Sequence, residues 1–437
     1  MPTITVDQQK LVMNSFAAIF QNNLVSSDVV TWKQFDGEMD DRNGLNVAEQ
    51  VGPRYAVTET TNGVVDLSSG VQDSVFGSEQ FKINKTFGTS MGWADFVKIR
   101  DVGAARESEA LKNAALNLAE KIDAHVLGVA LKAYNNWLGD GANSDPVATY
   151  GDMATAYTRL KKEGVDDSDL RAVLSFDDRQ ALGTSVIAYS ATDSLSTSTF
   201  RKGFVGEVDG IPTMFTQQLT GITTGSRSGS ILINGANQNV DYKNVAVSTS
   251  PGWYLTQTIA IDGLGGATQT VKKGEVFTIA GVYAYDNRAG QALPHLQQFT
   301  VVEDATASSS AIAALRIFPA IIVPGSGSGG DVNVNTAHAT VSAAPADNAA
   351  ITFIGAASTT LFPRMLLQKG SINVNTIPLI LPATGIGTRK SLTKVPLSVR
   401  MWQHSDFGTG AHSVRFDVAL TANIRDRRRG VKFNGTS

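Results

Sequence analysis

The sequence contains no cysteine. Disulfides, thiolate nucleophiles and Cys-based metal sites are therefore excluded, and a reducing compartment is permitted. Charge is sparse. Lys, Arg, Asp and Glu make up 18% of the 437 residues, and the formal net charge is -3. Gripping phosphate backbones needs clustered Lys and Arg, so this balance argues against a dedicated nucleic-acid binder. Long apolar runs are also missing. The longest, Ala311 to Val323, is interrupted by Arg316 and Pro319 and is too short to cross a bilayer. The apolar stretch Leu11 to Phe20 has no basic leader and no clear cleavage site. The expectation is a soluble chain with no membrane partner and no targeting segment.

What is present is a turn-rich folding composition, with 42% hydrophobic residues, 41 Gly and 13 Pro. The length predicts about two to three domains. The strongest periodic signal runs from Ala104 to Leu138. Leu111, Ala115, Leu118, Ile122, Val126, Val129, Ala133 and Trp137 recur at three- and four-residue steps, which places them on one face of a helix. Leu111, Leu118, Ile122, Val126 and Val129 are the expected packing residues of this spine. Asp101 is a plausible N-cap, and Gly139 with Gly141 supplies the stop. Such a helix would span roughly 50 Å, against about 11–12 residues for an average helix.

Residues 7–24 read as a shorter helix, either packed at the end of the body or docking on a neighbouring chain. Residues 35–100 are rich in Gly, Asp, Asn and Thr, and Phe81 to Phe87 alternates as a half-buried or edge strand. An isolated hairpin is marginal in water, so this excursion needs a surface to lie on, and a neighbouring subunit is the obvious candidate. Asp152 to Lys162 reads as a helix, Arg171 to Phe176 as a strand, Asp177 to Gly183 as a helix, and Gly203 to Phe215 as strand–turn–strand. From Gly221 to Gly355 almost no helical period survives. Short runs such as Ile231 to Ile233, Val245 to Val247, Tyr254 to Ile261, Glu275 to Ile279 and Ala314 to Phe318 predict a small all-β sandwich or barrel, inserted between mixed segments. Residues 356–437 return to strands, among them Val414 to Leu420.

Chemistry is thinly marked. Gly88-Thr89-Ser90-Met91-Gly92 matches the spacing of a nucleophile elbow, but no convincing helix follows and no oxyanion glycine run precedes it. A serine hydrolase using Ser90 remains an alternative reading, and a glycine turn is the favoured one. Gly325 to Gly330 lacks the Lys-Ser/Thr pair of a phosphate loop, and strand-like alternation is expected after it. Asp331-Val332-Asn333-Val334-Asn335 mimics a calcium loop but has Thr336 and Ser342 at its deciding positions. His404 and His412 could approach across a hairpin without a carboxylate partner. Asp166, Asp167 and Asp169 read as a solvated turn. Arg425, Arg427, Arg428 and Arg429 form a cluster with three readings, in order of preference: a solvated edge, an inter-subunit ion-pair site, or a nucleic-acid contact. No catalytic residue, cofactor or metal is expected. A binding module centred on the β insertion, secreted or on a virion surface, is the third functional class.

The order of parts is more specific than any motif: terminal helix, long β excursion, spine helix, mixed segment, all-β insertion, final strands. Three local stretches accompany it. These are Phe81 to Arg100 running into the spine, Gly203-Phe204 leading to a strand pair ending at Phe215, and Val271-Lys272-Lys273-Gly274-Glu275-Val276-Phe277-Thr278-Ile279-Ala280-Gly281-Val282 in the insertion. In this combination the chain resembles the major capsid proteins of tailed double-stranded DNA phages. Within them it is most similar to the group typified by the coat protein of the Salmonella short-tailed transducing phage, which carries an inserted β-barrel on the Hong Kong-type fold. The resemblance implies an α+β capsid fold. Residues 1–34 would be an N-terminal arm, 35–100 an extended β loop and return strand, and 101–149 the spine of a peripheral domain. Residues 150–220 would be the first part of an axial domain, 221–355 the inserted barrel, and 356–437 the axial and peripheral remainder. It implies a non-enzymatic subunit that self-assembles, as hexamers and pentamers, into an icosahedral shell in the bacterial cytoplasm. Scaffolding protein and portal would be partners during assembly, with packaged double-stranded DNA held non-specifically inside the virion capsid.

Overall fold

The computed structural model describes residues 6–37, 45–57, 72–92, 109–139, 145–166, 168–189, 207–208, 210–327, 331–381, 386–405 and 412–435. The chain divides into two compact units. One comprises residues 1–47, 81–129 and 369–425, and the other residues 48–80, 130–368 and 426–437.

The first unit is built on a six-stranded sheet. Thr31–Gln34, Ile372–Thr376, His412–Ile424, Ser398–Ser405 and Ile386–Ser391 follow one another, and Lys85–Gly92 pairs with His412–Ile424. Val414, Phe416, Val418 and Leu420 share one face of the long strand and are buried, and Asp417 and Ala419 on the other face are buried too, so both faces are covered there. The helix Val6–Asn23 presents Val12, Met13, Phe16 and Phe20 as its buried face. Phe16 stacks flat on Phe416, with ring centroids 3.9 Å apart. Each such aromatic burial is worth about 1.5–3 kcal/mol in transfer free energy. A second cluster joins Phe81, Ile83, Ile377, Leu379 and Ala419.

The second unit holds two six-stranded sheets. The first runs in the order Asn136–Leu138, Gly430–Phe433, Arg364–Gln368, Leu170–Leu174, Ile211–Phe215, Glu207–Val208. Helix Tyr150–Lys162 packs Met153, Ala156 and Leu160 into its core, and its start is fixed by a Thr149/Asp152 capping box. The other sheet has the order Leu232–Ile233, Gln257–Asp262, Ile312–Phe318, Gln291–Val301, Val276–Asp286, Ile351–Phe353. Its two edges meet: Leu232 bridges Ala350, Ile233 N donates to Ala349 O, and Ile351 N donates to Ile231 O. Closure removes the free edge. Ile259, Ile261, Phe277, Ile279, Phe299, Val301, Leu315 and Ile317 fill the interior. The all-β expectation for the insertion thus has its barrel-like sheet.

Several expectations need correction. The spine helix is Glu109–Ala133, and Trp137 lies in the strand Asn136–Leu138, paired in parallel with Gly430–Phe433. Trp137 fits the helical stripe by spacing, but the sheet claims its backbone. Residues 101–108 and 140–144, with the Asp101 cap and the Gly141 stop, lie outside the described residues. The insertion is not free of helix. Tyr242–Val245 is one turn of helix where Val245 to Val247 read as a strand, and Asp331–Ala337 is a helix where the sequence predicts strand alternation after Gly325 to Gly330. Phe81 to Phe87 is two strands, Gly77–Ile83 and Lys85–Gly92, and the helix starting at Phe176 continues to Tyr189.

Candidate functional site

The spine helix supplies packing and one polar device. Leu111, Leu118, Ile122 and Val126 are buried, and Val129 is half-buried. Gly128 is tolerated inside it. Asp123, itself buried, accepts hydrogen bonds from Val25 N at 2.9 Å and Ser26 N at 3.1 Å. These amides open the short helix Ser26–Val29 and have no helical acceptor of their own, so Asp123 satisfies two orphan donors from another element. Burial pushes its carboxyl pKa up, against the pull of those hydrogen bonds. His125 is half-buried against Phe87, with ring centroids 5.2 Å apart. Burial first, then Lys85 and Lys121, lower its pKa to about 4, so it is a neutral packing residue at neutral pH.

A second polar device surrounds Glu79. Its buried carboxylate accepts from Gly252 N at 2.7 Å and Tyr254 N at 3.0 Å. Arg427 donates to Gly252 O and lies 5.0 Å over the Phe318 ring. Burial raises Glu79 to about 7, and the Arg427 charge and the two amides oppose that rise. The turn at 250–254 is therefore held from both sides by groups distant in sequence. No periodicity or motif announces this: Glu79 and Gly252 are joined only by topology.

The arginine cluster is mostly committed to partners within the second unit. Arg428 binds Asp426 with two nitrogens, at 3.1 and 3.2 Å, and Arg429 donates to Gln368 Oε1 at 3.1 Å. Arg425 has an exposed side chain, while its backbone N donates to Ser371 O in the first unit. Lys432 is a further polar surprise. It is fully buried, donates from Nζ to Gly274 O at 3.0 Å and lies 5.1 Å over Trp137. Burial lowers its pKa to about 7.

The catalytic candidates dissolve in this geometry. Ser90 is an exposed residue in the middle of strand Lys85–Gly92, opposite Arg415 in the ladder, so it stands on no turn. Gly88 is there for its size, since a β-carbon at that position would lie 2.5 Å from Asp417 Oδ1. His404 pairs with Ser413 and His412 with Ser405 in one ladder. Asp331 opens a helix and pairs with Lys243, which is incompatible with a calcium loop. Of the acidic turn, Asp166 accepts from the Ser168 hydroxyl, and Asp167 lies outside the described residues. No group of three or more His, Asp or Glu fit to hold a metal occurs among the described residues. No helix among them is long and apolar enough to cross a membrane.

Residues 1–435 match the protein-family model described as P22 coat protein, gene protein 5. The chain belongs to the P22 coat protein family. It is accordingly a structural subunit of a phage capsid, made to associate with copies of itself, and its place is the virion shell. No curated protein matches it. Among solved structures this chain is similar to a chain of the structure titled Mycobacterium phage Che8, at 11% identity over 90% of this chain and 86% of that one, with a TM-score of 0.40. It is similar to the asymmetric unit of the bacteriophage PhiM1 mature capsid, at 10% identity over 95% and 88%, with a TM-score of 0.40. The CUS-3 coat protein I-domain matches at 23% identity over 29% of this chain and 96% of that domain, with a TM-score of 0.20. The family assignment rests on the match along the whole coat protein. It agrees with the resemblance drawn from the order of parts and with the mixed α+β class.

Proposed function

We propose that this coat protein forms an icosahedral shell of hexamers and pentamers around packaged double-stranded DNA. In this reading residues 1–34 are the arm, 35–100 the extended loop with its return strand, and 101–149 the spine. Residues 150–220 and 356–437 form the axial and remaining peripheral parts, and 221–355 the inserted barrel. The family match over residues 1–435 carries the proposal. The mechanism is geometric. A stiff spine fixes angles between subunits, and arm and loop overlap neighbours. Obligate interfaces bury about 2,000–5,000 Å², and many modest overlaps sum through multivalency. A net charge of -3 limits repulsion between copies. Scaffolding protein and portal act during assembly in the host cytoplasm, and contact with DNA is non-specific. In this reading the inter-subunit contact of the arginine cluster falls to Arg425, and its exposed side chain supports that.

The protein does no catalysis in this reading, and the strand position of Ser90 supports that. The test is negative-stain microscopy of the purified protein, alone and with its candidate scaffold. Closed shells of uniform diameter are expected, and Ser90→Ala should form them as wild type does. A protein that stays monomeric under every assembly condition would overturn the proposal, and hydrolytic turnover lost in Ser90→Ala would restore the enzyme reading.

A further inference from the structure

A cavity of about 160 Å³ opens in the second unit, with Arg54, Lys162, Glu163, Arg288, Asp426 and Arg428 among its lining. Four separate pieces of chain bring these charged residues to it. Residues 52–57 bring Arg54, and the end of helix Tyr150–Lys162 brings Lys162 and Glu163. The hairpin turn after Val276–Asp286 brings Arg288, and the turn at Asp426–Arg429 brings Arg428.

The charges in this cavity are not matched. Asp426 is the carboxylate that Arg428 grips with two nitrogens and Arg429 approaches at 3.7 Å. Arg288 donates one nitrogen to Gly164 O at 3.0 Å. Arg54 donates its backbone N to His338 Nε2, but its guanidinium makes no hydrogen bond or salt bridge among the described residues, and neither does the Lys162 ammonium. The largest influence on Arg54 is repulsion from Arg428, followed by burial, and both lower its pKa. Glu163 offsets part of this charge, since the Arg159 and Arg428 charges oppose the rise that burial gives its carboxyl, but it makes no ion pair with Arg54 or Lys162. Burial raises its pKa, its nearest cation is Arg159 at 3.8 Å, and its Oε1 has no hydrogen-bond partner. At the rim, Asp286 Oδ1 accepts from Arg288 N and Asp166 Oδ2 from the Ser168 hydroxyl, so both are turned to local partners.

Arg54, Arg288 and Arg428 line one polar volume, and the donors they do not spend on Gly164 and Asp426 suit the oxygens of a tetrahedral anion. The volume has room for several waters, and so for such an ion. We propose that this cavity binds a small tetrahedral oxyanion, phosphate or sulfate, held by Arg54, Arg288 and Arg428. The bound ion ties the 52–57 segment to the hairpin and to the Asp426–Arg429 turn.

The test is the melting temperature of the full-length protein at neutral pH, titrated with sodium phosphate or sulfate and compared with sodium chloride at matched ionic strength. A saturable rise with both oxyanions, absent with chloride, is expected. Arg54→Gln is exposed enough to fold normally and should weaken the apparent affinity about tenfold, the loss of one charge-assisted contact. Lys82→Gln, an exposed change in the first unit, should leave the response intact. A chloride response equal to that of phosphate would overturn the proposal, as would an unchanged response in Arg54→Gln or an equal loss in Lys82→Gln. A response confined to assembled shells would also overturn it, because the cavity would then belong to a side chain of a neighbouring copy.

Discussion

Gly88 stands directly opposite Asp417 in the ladder between Lys85–Gly92 and His412–Ile424, and its missing β-carbon is the space that Asp417 Oδ1 occupies. Asp417 is buried and accepts from Arg400 Nη2 and Arg415 Nε, each at 2.7 Å. A carboxylate held by two arginines cannot step aside cheaply. Gly88→Ala should therefore lower stability by about 1–3 kcal/mol, in the range of overpacking. Urea unfolding measures it, and a midpoint equal to wild type would contradict the steric account. The first glycine of the G-x-S-x-G spacing serves an ion pair, not a nucleophile.

Ile122→Asp should abolish particles. Ile122 is fully buried, and the neighbouring Asp123 already commits its carboxylate to Val25 and Ser26. A second charge there has no partner, and burying it costs several kcal/mol. Soluble yield and particle counts by microscopy check this, with Ile122→Val as the mild control; normal particles from Ile122→Asp would remove the spine's packing role.

Glu79 gives the subunit an acid-side slope. Its pKa is raised from 4.5 to about 7 on folding, so the folded state holds the extra proton between those values. Its contribution is fully present below pH 4.5 and is lost as pH rises through 7. Glu79→Gln keeps one acceptor for the amides of Gly252 and Tyr254 and carries no titration. Stability of the variant should be flatter between pH 4.5 and 7. An unchanged slope would mean the Arg427 charge already keeps Glu79 ionised.

Lys432 tilts the opposite way on the basic side. Its pKa falls from 10.5 to about 7, so the unfolded chain binds more protons between those values and stability rises with pH across them. Lys432→Met, similar in volume and uncharged, should be relatively more stable near pH 7 and flatter above it. Chemical denaturation across that window is the measurement. A steeper rise in the variant would refute the assignment.

The periodic parts of this protein are legible in its sequence and the crossing parts are not. The spine is visible because Leu111, Leu118, Ile122 and Val126 repeat at helical spacing, and its core face follows. Its end is not, because Trp137 satisfies the same spacing while its backbone pairs with Lys432, almost three hundred residues away. The barrel can be read from alternating Ile, Val and Phe. The helices Tyr242–Val245 and Asp331–Ala337 cannot, since runs this short fit strand and helix equally. The polar devices at Glu79, Asp123 and Lys432 leave no trace, because each joins residues that only the completed topology brings together. Composition marks Arg425 to Arg429 as a charge cluster, and only the structure distinguishes exposed Arg425 from its committed neighbours.

The sheet holding Asn136–Leu138 has one further consequence, in the order of synthesis. Among the described residues that strand's sole ladder neighbour is Gly430–Phe433, which also flanks Arg364–Gln368. On the ribosome, the early strand must wait for nearly three hundred residues to emerge before it can be zipped in. The barrel, with its own closed ring of strands between residues 232 and 353, is complete well before then. A nascent chain stalled before residue 430 should thus carry a finished barrel on an open sheet, the state in which a chaperone would find the most to hold.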